Sequence, residues 1–166
     1  MKEFKLKNIE IRNKRLLIIC ITIPLLVGLL SDKLSGSGIR EFATLNKPPL
    51  SPPGWLFPVV WTILYVLMGI ASYLVILSGK EKQQISDALA AYGLQLTVNF
   101  FWSIIFFRFE EYLFSFVWLV LLWILILRTI MLFQQVSQAA AYLLWPYLVW
   151  VTFAGYLNLG IFFLNL

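Results

Sequence analysis

The sequence predicts an all-α fold: an integral membrane bundle of five transmembrane helices. Three observations carry this. Of the 166 residues, 61% are apolar and only 13% are charged. The apolar residues gather into five runs, and four of these are long enough to cross a bilayer. The eight acidic residues all lie near the ends of those runs or outside them. A soluble domain is about half apolar and about a quarter charged, so a chain of this size could not hide the surplus in its own core.

The chain divides into a basic flank, residues 1–15, and a membrane domain, residues 16–166. The flank sets Lys2, Lys5, Lys7, Arg12, Lys14 and Arg15 against Glu3 and Glu10. It reads as a positive-inside anchor. With no aromatic residue beyond Phe4 it does not read as a nucleic-acid arm, and no nucleic-acid partner is expected. Helices are predicted at about 16–34, 55–78, 85–107, 112–133 and 139–165. The first is short for a span and follows a basic start, so it also imitates a signal peptide with Ser35-Gly36-Ser37 as cleavage site. A retained helix is the reading adopted. The other four exceed the roughly 20 residues that cross about 30 Å of hydrocarbon. Short loops after the second, third and fourth runs predict sequential helices as antiparallel neighbours.

Loop charges give an orientation for what is expected to be a multi-pass protein of a bacterial cell membrane. The N-terminal side holds the six basic residues of the flank with Lys80, Lys82 and Arg128. The other side holds Lys33, Arg40, Lys47 and Arg108. The positive-inside rule then puts the N-terminus in the cytoplasm.

Composition also narrows the chemistry. Histidine is absent and Cys20 is the only cysteine, so the usual zinc ligands and the common haem proximal ligand are missing. No metal and no obligatory cofactor is expected. The placement of the acidic residues argues against a carboxylate pair at mid-membrane.

The longest connection, residues 31–54, contains Pro48, Pro49, Pro52 and Pro53 within six residues. Such a stretch is stiff and non-helical. It reads equally as a lid over the bundle mouth, built on Pro48, Pro52 and Pro53, or as a helix start with Ser51 as N-cap and Pro52 in the first turn. Pro58 and Pro146 lie inside apolar runs and predict bends. Three helices then show mixed faces at helical spacing: Trp61, Tyr65, Met68 and Ser72; Tyr92, Gln95, Asn99 and Trp102; and Tyr147, Trp150, Ala154 and Asn158. Amides facing lipid are costly, so these faces should turn inward. Trp55, Trp118, Trp123 and Trp145 read as interfacial or lipid-facing. Trp61, Trp102 and Trp150 read equally as cavity lining or as packing. An aromatic cavity with few polar anchors suits a flat apolar ligand. Opposite the amide face of the third helix, Ser86, Ala90, Gly93 and Thr97 form a stripe of small residues. It fits close packing against a second copy, giving a homodimer, or against another helix of the same chain.

Three segments carry a resemblance. They are Leu45-Asn46-Lys47-Pro48 through Pro52-Pro53 to Trp55 and Val60-Trp61-Thr62-Ile63-Leu64-Tyr65; Leu94-Gln95 with Asn99, Trp102 and Ile105-Phe106-Phe107; and Pro146-Tyr147-Leu148-Val149-Trp150 with Phe153-Ala154 and Leu157-Asn158. In this order they resemble the translocator protein/tryptophan-rich sensory protein family, TspO/MBR. The resemblance implies a five-helix bundle, often dimeric, that binds porphyrins and sterol-like or drug-like molecules under the proline-rich loop. It implies ligand-binding roles for Trp61, Tyr65, Asn99, Trp102, Trp150, Ala154 and Asn158, and a sensory or regulatory function. It also implies two alternatives: light-dependent protoporphyrin degradation, in which any catalytic role falls to indole chemistry at Trp61 and Trp150, and transport. The chain departs from the family in two places. Tyr156 is followed by no Lys or Arg, unlike the sterol-recognition pattern of animal members. Phe114 stands where many members have tryptophan.

Overall fold

A computed structural model describes residues 13–36 and 42–166. The basic flank up to residue 12, and residues 37–41 of the long connection, lie outside the described residues. All regular structure among the described residues is helical: α1 (Lys14–Ser35), α2 (Leu56–Ile76), α3 (Lys82–Ser103), α4 (Tyr112–Val136) and α5 (Gln138–Leu164). After Ser103, α3 runs on through a wider π-helical turn, Ile104–Arg108. All five helices, α3 counted with that turn, are long and apolar enough to cross a membrane.

Local chemistry sets the helix ends. Asn13 caps α1 by accepting from the Leu16 N–H (3.2 Å). Ser137 alone separates α4 from α5, and its extended backbone and side-chain cap on Ala140 start the last helix. The Ser51 start for α2 does not hold. The Ser51 hydroxyl donates back to the Pro48 carbonyl (2.7 Å), and the helix begins at Leu56, whose N–H reaches the Pro53 carbonyl (2.9 Å). Pro58 does not bend α2 either. It sits in the first turn, where its missing N–H has no intrahelical partner to lose. Pro146 is interior to α5 as expected, and Pro24, unnoticed in the sequence, is interior to α1.

The order of helices around the bundle differs from simple succession. The principal contacts run α1–α2, α2–α5, α5–α4, α4–α3 and α3–α1, which closes a ring. Sequential α2 and α3 touch only lightly despite the short link between them. Tyr65 of α2 reaches across to Asn99 of α3 (2.9 Å), and α1 packs against both helices. Helix α1 is accordingly the least buried, with Ile18, Ile19, Ile23, Leu26, Leu29 and Leu30 all exposed. Its hold on α2 is a backbone approach at Gly69, where a Cβ would lie 2.5 Å from the Ile21 Cα. Its hold on α3 is polar: the Ser31 hydroxyl donates to the Phe100 carbonyl (2.6 Å), and Arg108 Nη1 donates to the Leu34 carbonyl (3.2 Å).

Two tryptophans assigned to the lipid boundary do other work. Trp118 Nε1 donates to the Val98 carbonyl (2.8 Å) and ties α4 to α3. Trp123 Nε1 donates to Thr152 Oγ1 (2.9 Å) and ties α4 to α5. A donor-only indole in a low-dielectric setting seeks an acceptor, and a neighbouring helix supplies it. Trp55 and Trp145 are exposed.

Candidate functional site

The three mixed faces all turn inward. Tyr65, Met68 and Ser72, then Tyr92, Gln95, Asn99 and Trp102, then Tyr147, Ala154 and Asn158 are buried, and Trp61 and Trp150 are half-buried. The site residues fall into two groups rather than one cavity wall.

The first group is a polar node between α2, α3 and α5. The Tyr65 hydroxyl donates to Asn99 Oδ1 (2.9 Å), Asn99 Nδ2 donates to the Tyr147 hydroxyl oxygen (2.9 Å), and that hydroxyl donates to Gln95 Oε1 (3.0 Å). Trp61 closes the node on one side. It stacks on Tyr65 at 5.5 Å between ring centroids and meets the Tyr147 ring edge-on at 6.0 Å. Gly28 on α1 makes room for the Tyr65 ring, because a Cβ there would collide with Tyr65 Cε2.

The second group surrounds a small cavity of about 20 Å³ lined by Phe42, Phe57, Trp102, Phe106, Ala154 and Asn158, among others. Asn158 Nδ2 donates to Ser115 Oγ (2.9 Å), which anchors α5 to α4 beside this space. Trp102 stacks on Phe106 at 5.5 Å. Trp150 does not line the cavity. It packs on Phe57, which does, at 5.8 Å. The π-helical turn supplies Phe106 and Phe107, a positioning role that helical periodicity did not reveal. The aromatic cavity is nearly closed, with Phe42, Phe57, Phe106 and Phe107 lining it. A drug-sized ligand needs roughly 300 Å³ or more. Binding there requires these rings and the loop above them to shift.

The loop is clasped to the end of α5. Pro48 is buried against Gly160, where a Cβ would meet the Pro48 ring at 2.6 Å. Asn46 N donates to Asn165 Oδ1 (3.0 Å), and Asn165 Nδ2 donates to the Asn46 carbonyl (2.9 Å). The Tyr156 hydroxyl donates to the Pro49 carbonyl (2.9 Å). Of the three prolines read as a lid, Pro48 is buried, Pro52 is half-buried and Pro53 is exposed at the entry to α2. Phe42, not singled out in the sequence, reaches the cavity from the same segment. Ser86, Ala90, Gly93 and Thr97 are all exposed on α3, so the stripe does not pack against another helix of its own chain. No cluster of three or more metal-ligating side chains occurs among the described residues.

The chain is similar to known proteins over most of its length. The TspO/MBR family profile matches residues 20–164. The chain belongs to the TspO/MBR family. Relatives within it include the tryptophan-rich protein TspO of Chlorobaculum tepidum, 41% identical over 92% of this chain and 99% of its own length. The translocator protein of Ovis aries is 40% identical over 75% of each chain. The tryptophan-rich sensory protein of Cereibacter sphaeroides is 35% identical over 75% of this chain and 76% of its own. With five spanning helices, this TspO/MBR member is an integral, multi-pass membrane protein.

Proposed function

We propose that this protein binds flat, apolar, tetrapyrrole-like ligands beneath the clasped loop and serves a sensory or regulatory role. The observation that carries the reading is that α2, α3 and α5 turn these residues inward: Trp61, Tyr65 and Asn99 at the polar node, Trp102, Ala154 and Asn158 at the small cavity, and Trp150 against the cavity-lining Phe57. Aromatic walls supply the area that an apolar ring system buries, and a few amides fix its orientation. Relatives are named as sensory and translocator proteins, which fits small-molecule recognition in a membrane. Titration of the purified protein with protoporphyrin, followed by intrinsic tryptophan quenching, tests it. Saturable binding weakened by Trp61→Phe plus Trp150→Phe supports the assigned site. Saturable binding that survives both substitutions overturns it.

A second reading, photo-oxidative porphyrin degradation, is favoured by one contact. Trp61 lies against two phenols, Tyr65 and Tyr147, so three oxidisable rings adjoin one another. New absorption bands formed under light, and missing in the dark and in Trp61→Phe, are its expected signature. Bleaching at the same rate by free tryptophan would oppose it.

A further inference from the structure

Two charges stand well inside the spanning helices. Asp87 is five residues from the start of α3, and Arg128 is eight residues from the end of α4. That places them about 8 Å and about 12 Å in from those ends. Every other charged residue of the five helices lies within one turn of a helix end. Both side chains are exposed, and neither belongs to the polar node or lines the cavity. Among the described residues Arg128 has no hydrogen-bond or ion-pair partner. Asp87 has only Gln83 of its own helix, whose Nε2 donates to its Oδ1 (2.8 Å). A charge inside the apolar layer is costly unless something answers it, so each marks a functional position with a partner to be named.

The packing of α3 on α4 sets the two charges at one level. The bond from Trp118 Nε1 to the Val98 carbonyl fixes the register of these antiparallel neighbours. Counted from that bond toward the shared end, Asp87 is eleven residues along α3 and Arg128 is ten along α4. The distances are about 17 Å and about 15 Å. Asp87 shares a stripe with Leu94 and Phe101, both exposed, and Phe101 meets the Trp118 ring edge-on at 6.5 Å. That stripe is therefore the edge of α3 beside α4. Arg128 shares the outer face of α4 with Val117, Leu121 and Ile124, all exposed. An anion and a cation thus adjoin on the outer surface, where lipid lies against the bundle.

We propose that Asp87 and Arg128 form a binding site for the headgroup of a phosphatidylethanolamine-type phospholipid. The Arg128 guanidinium donates to the phosphate, and the Asp87 carboxylate accepts from the primary ammonium. The long arginine stem lets the guanidinium reach from its depth toward the headgroup layer. The charge pattern selects among lipids. Phosphatidylcholine brings the same phosphate, but its ammonium has no N–H to donate. Phosphatidylglycerol brings a phosphate and no cation, so Asp87 repels it. The occupant is a lipid rather than a second copy, because Asp87 lies about 90° round α3 from the stripe of Ser86, Ala90, Gly93 and Thr97, on the side toward α4. The proposal stands apart from the ligand-binding reading above and needs only the membrane setting.

Native mass spectrometry of wild type, Asp87→Asn and Arg128→Gln in neutral detergent tests it. Each protein receives dioleoyl phosphatidylethanolamine, phosphatidylcholine and phosphatidylglycerol in equal amounts. The wild type should hold the ethanolamine lipid about tenfold more tightly than either of the others, as one charge-assisted hydrogen bond allows. Asp87→Asn should abolish the preference over phosphatidylcholine and raise binding of phosphatidylglycerol. Arg128→Gln should weaken binding of all three. Equal binding of the three lipids by the wild type overturns the proposal, and so does a preference that survives Asp87→Asn. A fall in dimer content in both variants with the lipid preference intact would assign the charges to a second copy and overturn it too. If either variant is unstable, the wild-type preference alone decides.

Discussion

Glycine positions separate contact from exposure in this protein. At Gly69 an added methyl would meet the α1 backbone, which cannot move without parting α1 from α2. Gly69→Ala should therefore cost about 1–3 kcal/mol through overpacking. At Gly93 nothing of its own chain lies within 4 Å, so Gly93→Ala should leave the fold of the single chain unharmed or stabilise it through better helix propensity. Thermal unfolding in one detergent checks the pair; equal midpoints would contradict the α1–α2 crossing. Gly28→Ala should act differently, by displacing the Tyr65 ring from its bond to Asn99. Much of this residue scale was legible beforehand. The amides of α3 had to face inward, because lipid offers them no partner. The partners were not legible: Gln95 with Tyr147, or Asn158 with Ser115, join residues far apart in the chain, and no local pattern pairs them. Phe42 and Gly28 lacked any distinguishing spacing. Their roles come from where α1 and the loop land.

At the scale of elements the clasped loop and α3 make separate predictions. The loop is held by Asn165, Tyr156 and the Pro48–Gly160 contact, not by its own stiffness alone. Asn165→Ala with Tyr156→Phe removes hydrogen bonds worth about 0.5–1.5 kcal/mol each, so ligand release should quicken about tenfold. Stopped-flow displacement measures it; an unaltered release rate would mean that the loop does not gate. For α3, we propose a homodimer through Ser86, Ala90, Gly93 and Thr97, on the face opposite the amides. In lipid such association depends on close backbone approach. Ala90→Leu with Gly93→Leu should give monomers in detergent that still bind ligand. Dimers that survive the substitution would place the interface elsewhere. The helix count was readable from hydropathy because each span had to satisfy its own backbone. The π-helical turn at Ile104–Arg108 and the start of α2 at Leu56 were not. Both depend on hydrogen bonds that the sequence leaves open, one inside a helix and one in the Pro48–Ser51 turn.

The whole molecule is a ring of helices in the order α1, α2, α5, α4, α3, with aromatic and amide side chains at its centre and an apolar outer surface. Sequence proximity suggested neighbours in succession. The packing of α1 against both α2 and α3, and of α5 against α2, gives a different order. The excess of Lys and Arg on the N-terminal side predicts that this end faces the cytoplasm. In a Cys20→Ser background, a cysteine at Ser78 should then be labelled only from the inner side and one at Leu50 only from the outer. The reverse pattern would invert the topology. The central claim is that apolar ligands bind inside the ring under the clasp. A structure of the protein with protoporphyrin bound tests it most directly. The account predicts the macrocycle between Trp61, Trp102 and Trp150, with Phe42 and Pro48 displaced outward. A macrocycle resting instead in the outer groove between α4 and α5, beside Trp123 and Gly155, would contradict it.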